Sequence, residues 1–162
     1  MKKTFIILAA LAGSVLTAAD CRAQATSISP FPDMEIECLG TELDGTETLR
    51  VQGKGSSKSD AIEQAKKNAV YAVIFQGIRN GADKGCDMRP LVTEVNAREK
   101  YEEYFDRFFK DGGDYSKYVT KEDEKKRSKD KVKTKTYVVR VITVRVLRTQ
   151  LKNRLKGDGI IK

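Results

Sequence analysis

The chain has 162 residues, with 31 Lys and Arg against 23 Asp and Glu and a formal net charge of +8. It contains no histidine and no tryptophan. That excludes serine or cysteine nucleophiles activated by histidine, and histidine-ligated zinc.

Lys2 and Lys3 precede an apolar run from Phe5 to Leu16, then small residues around Ala18 and Ala19, then Ala23-Gln24-Ala25. A basic head, a short apolar core and a small-x-small ending are the pattern of a secretory signal peptide. The run is about a dozen residues, short of the ~20 that span a bilayer as a helix. Residues 1–25 are therefore expected to be a signal peptide cleaved after Ala25, and 26–162 a single α+β envelope domain. Cys21 opens the alternative of a lipoprotein with an acylated N-terminal cysteine. Its preceding residue is Asp20, where lipidation normally wants a small one. The expected location is the periplasm or the outer-membrane periphery, with no transmembrane span once the signal is removed. Cys38 and Cys86 then form an isolated pair in an oxidising compartment, which reads as a disulfide. Two buried thiols are the alternative.

Met34, Ile36 and Cys38 alternate with Glu35 and Glu37, and Leu49 and Val51 with Arg50 and Gln52. Each is the pattern of a strand with one wet face. Asp44-Gly45 between them suits a two-residue turn, so a hairpin is expected over about Met34–Thr41 and Glu47–Gly53. In the stretch VQGKGSSKSDAIEQAKKNAVYAVIFQGI, Gly53 and Gly55 end the second strand and Ser57 caps a helix, with Asp60 at its third position. That helix, about Lys58 to Gln76, carries Ala61, Ala65, Ala69, Ala72 and Val73 along one side. Ile62, Val70, Ile74 and Phe75 widen the stripe, while Lys58, Glu63, Lys66 and Lys67 are expected to stay wet. Small residues at this spacing let a helix lie close on a sheet, and Gly77 and Gly81 stop it. The glycines and lysine suggest a phosphate loop, but such a loop needs glycine directly before its lysine, and here Ser57 precedes Lys58. The strand before it also alternates instead of reading as buried.

Leu91 to Phe109 reads as a second helix, with Val95, Tyr101, Tyr104, Phe105 and Phe108 near helical period and Glu94, Glu99, Glu102 and Glu103 outside. The aromatic stripe reads as core. Neither DKGCD (Asp83–Asp87) nor DGGD (Asp111–Asp114) has the alternating ligands of a calcium loop, so both read as turns. Residues 121–134 are polar apart from Val132, and 119–135 suit either a projecting charged hairpin or a loop. Tyr137 to Leu147, β-branched on both faces, reads as a central strand covered on both sides. Leu147, Leu151 and Leu155 mark a short terminal helix, with Gly157 as its stop. The order is β-β-α-α-β-β-α, an α+β fold with helices packed on an antiparallel or mixed sheet.

The strand-joint-helix stretch Val51–Ile78 and the closing VVRVITVRVLRTQLKNRLKGDGI (Val138–Ile160) together resemble the small periplasmic α+β module of flagellar assembly protein T N-terminal domains and related bacterial surface lipoproteins. The resemblance implies an accessory or assembly role at the outer membrane and brings no catalytic residues.

Charge is divided along the chain. From Tyr115 onward there are 16 Lys and Arg against 5 Asp and Glu, while residues 26–114 hold 12 against 17. Such asymmetry points to an anionic partner, or to a solvated hairpin whose lysines guard a sheet edge. Alternation along a strand would place Lys129, Lys131, Lys133 and Lys135 on one face, ~6.6 Å apart. These four are the candidate contact residues for an anionic partner. No catalytic, cofactor-binding or metal-binding residues stand out. An enzyme using carboxylates alone has no pair singled out by spacing. The functional expectation is a non-enzymatic exported accessory module that binds another envelope component. The alternative is a surface-binding protein whose basic end engages anionic lipid or glycan. Nucleic acid is not an expected partner of an exported chain, and a homo-oligomer is compatible with an acidic half facing a basic one.

Overall fold

The computed structural model describes residues 36–122, 131–133 and 136–162, with the backbone alone at Lys131 and Lys133. The expected signal peptide, Cys21, Lys129 and Lys135 lie outside the described residues.

The chain folds as α+β, with helices on an antiparallel sheet. Strands β1 (Ile36–Thr41) and β2 (Glu47–Gly55) form the first hairpin, with Ile36 opposite Val51 and Cys38 opposite Leu49. Those four side chains are buried, as their alternation requires. The turn differs from the expected two-residue form. Glu42 N–H donates to Thr46 O at 2.8 Å, and Gly45 N–H to Glu42 O at 2.9 Å, leaving a three-residue loop, Leu43-Asp44-Gly45. Gly45 takes φ +81°, the left-handed position that three-residue hairpin loops require of their last residue. The Asp44 carboxylate accepts from the Thr46 backbone and hydroxyl at 2.8 and 2.9 Å, which holds the longer loop in place.

Helix α1 (Lys58–Tyr71) starts with a reciprocal cap. The Asp60 amide donates to the Ser57 hydroxyl and the Ser57 amide to the Asp60 carboxylate, both at 3.2 Å. Its alanine side, Ala61, Ala65 and Ala69, is wholly buried across β2. A Cβ on Gly53 would stand 2.5 Å from the Ala65 amide nitrogen, and one on Gly55 2.5 Å from that of Ala61. The glycines let the helix cross in contact with strand backbone, and the cradle that a phosphate would need is filled by the protein itself.

A π-helical turn (Ala72–Gln76) extends α1 and ends at Gly77, φ +73°. It leaves the Val73 and Ile74 carbonyls to the incoming loop, which receives them through Leu91 N–H at 3.0 Å and Val92 N–H at 2.9 Å. The expected second helix does not begin at Leu91: residues 91–95 follow this loop, and Asn96 is left-handed at φ +60°, which no continuous helix passes through. Two shorter pieces form instead, α2 (Ala97–Lys100) and α3 (Glu102–Phe109), broken where Tyr101 takes φ −114°. Val95, expected in the apolar stripe, is exposed. Phe105, Phe108 and Phe109 are core. Phe75 meets Phe105 edge-on at 4.7 Å, and Phe109 stacks on Tyr115 at 6.0 Å.

After a 3-10 turn (Asp114–Tyr118) come β3 (Val119–Lys121) and β4 (Lys131–Lys133), then β5 (Val138–Val146). The sheet order is β1-β2-β5-β3, and β4 pairs on β5 beside β3. β3 lies against Val144–Val146 and β4 against Val138–Arg140, both antiparallel to β5. Both therefore lie along the same side of β5, the side away from β2. β5 is central, as expected, with β2 paired along its whole length on the other side. The expectation that it is covered on both faces is corrected among the described residues. Leu49, Val51, Ile142, Val144 and Val146 face α1 and are buried, whereas Val139 and Val141 point away and are only half-buried. Helix α4 (Arg148–Gly157) buries Leu151 and Leu155. It runs through Gly157, and the reversal falls at Gly159, φ +72°, where Ile160 N–H returns to Leu155 O at 2.9 Å.

Candidate partner-binding surface

Among the described residues the helices lie on one face of the sheet, and the other face, half-buried along Val139 and Val141 and buried at Thr143, continues into the basic edge. In register, Arg50 stands opposite Thr143, Gln52 opposite Val141, and Lys54 opposite Val139. Val139 is in turn opposite Val132 of β4, whose side chain is 55% exposed. Strand alternation puts these residues on the face away from α1. The Lys54 ammonium lies 3.8 Å from the centre of the Tyr137 ring, so a cation and an aromatic ring close one end of this valine row. Lys121 on β3 is exposed at the same edge.

Of the four lysines expected to form a row, Lys131 and Lys133 lie in β4, opposite Arg140 and Val138. Their shared parity places them at alternate positions of a strand. Lys129 and Lys135 fall outside the described residues. Sequence reading did not see that the strand was an edge, nor that Val132 would be exposed beside the lysines. The single valine between two lysines was its one local trace.

Three arginines of the C-terminal region are paired internally. Arg145 pairs with Glu42 at 2.8 Å and with Glu122 at 2.5 Å, which ties the first hairpin to the residue after β3. Arg148 is buried, 3.5 Å from Glu47 and 3.1 Å from Asp87. Burial pushes the Glu47 carboxyl up, and the Arg148 charge only partly offsets it. Arg154 pairs with Asp158 at 2.6 Å.

Two further groups of charge turn out to be part of the fold. Lys67, expected to be wet, is only 9% exposed. Its ammonium meets Asp111 at 2.6 Å and sits 5.5 Å from the Tyr115 ring centre. The 3-10 turn after α3 packs over α1 there, a contact between segments far apart in the chain. The Tyr115 hydroxyl donates to Glu63, and burial followed by that carboxylate pushes the phenol far up, so it stays a neutral donor. DGGD is the turn carrying Asp111 to Lys67. Among the described residues, no group of three or more Asp, Glu, Cys or His comes together as a metal site.

The sulfurs of Cys38 and Cys86 stand at disulfide distance, with Cα atoms 6.5 Å apart and a sequence separation of 48. Cys38 N–H also donates to Asn80 O at 2.9 Å, and Glu37 pairs in parallel with Asn80. The segment after α1 thus lies against the outer edge of β1, and among the described residues the β3–β4 side of the sheet has no further paired strand. Among the described residues no helix is long and apolar enough to cross a membrane.

No family model, curated protein or solved structure matches this chain.

Proposed function

We propose that the chain is a non-enzymatic, exported module that binds another envelope component through the β3–β4 edge and the adjoining face of its sheet away from α1. The observation that carries this reading is β4 itself. It is a strand of sequence Lys-Val-Lys at the margin of the sheet, paired only with β5 among the described residues, with Val132 turned outward. An edge strand presents backbone donors and acceptors to an incoming chain, and lysines on it select an acidic one over self-pairing. The resemblance of the strand-joint-helix stretch to flagellar assembly protein T N-terminal domains supports an accessory role at the outer membrane. The N-terminal sequence pattern and the cysteine pair at disulfide distance support export.

The test replaces Lys129, Lys131, Lys133 and Lys135 together with Gln and recovers partners from crosslinked envelopes. Recovery should fall several-fold at physiological salt, and wild-type recovery should fall as salt rises. Equal recovery by variant and wild type would overturn the assignment of this edge. Loss of binding to anionic lipid vesicles, with protein partners still recovered, would move the reading to a lipid or glycan surface.

A further inference from the structure

Away from the sheet edge, α3, the Asp111–Asp114 turn and α4 enclose an open cleft of about 520 Å³, within the size range of small-ligand sites. Its apolar wall is the stacked pair Tyr104 and Phe108, with rings 5.9 Å apart and 16° from parallel. Its polar wall is Arg107 and Lys110 at the end of α3, Arg154 of α4, and Asp114. Arg107 and Lys110 are exposed and have no carboxylate at ion-pair distance among the described residues. Cations at the end of a helix offset its dipole, which accounts for Arg107 and Lys110 singly. It does not account for Arg154 arriving from a helix some fifty residues later. Arg154 is held in place, with Nε 2.6 Å from Asp158 and Nη2 3.7 Å from Asp114, while the Tyr104 hydroxyl donates to the same Asp158 oxygen at 2.6 Å. Arg154 is paired with Asp158 and Asp114. Among the described residues, Arg107 and Lys110 are thus the two lining cations without a carboxylate at ion-pair distance, leaving two positive charges facing the opening. Gly112 and Gly113 keep the turn free of side chains there, so a ligand can approach backbone.

We propose that this cleft binds a phosphate monoester, whose two negative charges match those two cations. Its main contacts are exposed Arg107, whose Nε donates to the Glu103 carbonyl at 3.2 Å, and exposed Lys110, with Arg154 beside them. A guanidinium and an ammonium make charge-assisted hydrogen bonds to phosphate oxygens. The ester could be borne by a lipid headgroup or by a soluble molecule.

The test is titration of the full chain with inorganic phosphate at constant ionic strength, read from amide NMR shifts. Saturating shifts should centre on Gly112, Gly113 and Asp114. Arg107→Gln with Lys110→Gln should weaken binding about tenfold, since both contacts are charge-assisted. Asp114→Asn should strengthen it, because one repelling carboxylate is removed; this gain cannot come from misfolding. Lys131→Gln with Lys133→Gln should leave it unchanged, which separates this site from the sheet edge. Phosphatidylcholine vesicles with and without phosphatidic acid identify the source. Preference for phosphatidic acid that is lost in the Arg107/Lys110 variant assigns a lipid headgroup, and phosphate shifts without vesicle preference assign a soluble ester. Absence of cleft shifts, or equal shifts in the Arg107/Lys110 variant, overturns the proposal.

Discussion

Arg148 at the start of α4 reaches 3.5 Å from the carboxylate of Glu47 at the start of β2, a residue 101 positions earlier and wholly buried. Arg148 also donates to the Arg89 carbonyl at 2.5 Å, and Glu47 accepts from the Asp87 amide at 3.2 Å. One guanidinium therefore holds the terminal helix, the first hairpin and the loop after Cys86 together.

Replacing Arg148 with Met should destabilise the protein by about 3–5 kcal/mol at neutral pH, because Glu47 is left as a buried charge without its cation. The pH dependence follows from the direction of the Glu47 shift. Its folded value lies above the ordinary 4.5, so its contribution is fully present below 4.5 and is lost as pH rises through the folded value. Without Arg148 that value rises further, so the penalty should shrink on acidification. Urea midpoints at several pH values check this. A penalty that grows toward low pH would contradict it.

Cys38→Ala with Cys86→Ala should lower stability by about 2–4 kcal/mol through the freed loop. Peptide mapping without reductant should recover the two cysteines crosslinked. Complete maleimide labelling of the native protein would show instead that the thiols are free.

Ala65→Leu or Ala69→Leu should cost about 1–3 kcal/mol by overpacking against β2 and its neighbours. Lys58→Ala, at an exposed position in the first turn of α1, should stay within about ±0.5 kcal/mol. Thermal melts of the three variants suffice, and a sensitive Lys58 with tolerant alanines would reopen the phosphate-loop reading of this joint.

Gly53→Ala should be more harmful than an alanine placed at exposed Gly112, although Gly112 has the positive φ. The Gly53 Cβ would meet the α1 backbone, which cannot swing aside, whereas at Gly112 nothing lies within 4 Å. The Gly112 cost is limited to backbone strain of about 1–2 kcal/mol. Chemical denaturation of both variants ranks them.

Local chemistry determined the strands around Leu49 and Val144, the Ser57 cap and the alanine face of α1. Each of these is written in residues within a few positions of one another, so period and capping read them directly. The second helix was misread because residues 91–95 are drawn into a loop bonded to Val73 and Ile74, and Asn96 takes a left-handed turn. The helical period of residues 91–109 announces neither. Lys67 was misread for the same kind of reason: what buries it is a turn more than forty residues later. The lysine run was visible as composition, but whether it lay on an edge, a hairpin or a loop was decided by β3 and β4 both pairing on one side of β5. The cleft beside Tyr104 had no sequence signal at all, since Arg107 and Arg154 become neighbours only when α4 folds back beside α3. Propensity and periodicity act over a turn or a strand, while the meeting of distant charges is set by how layers pack.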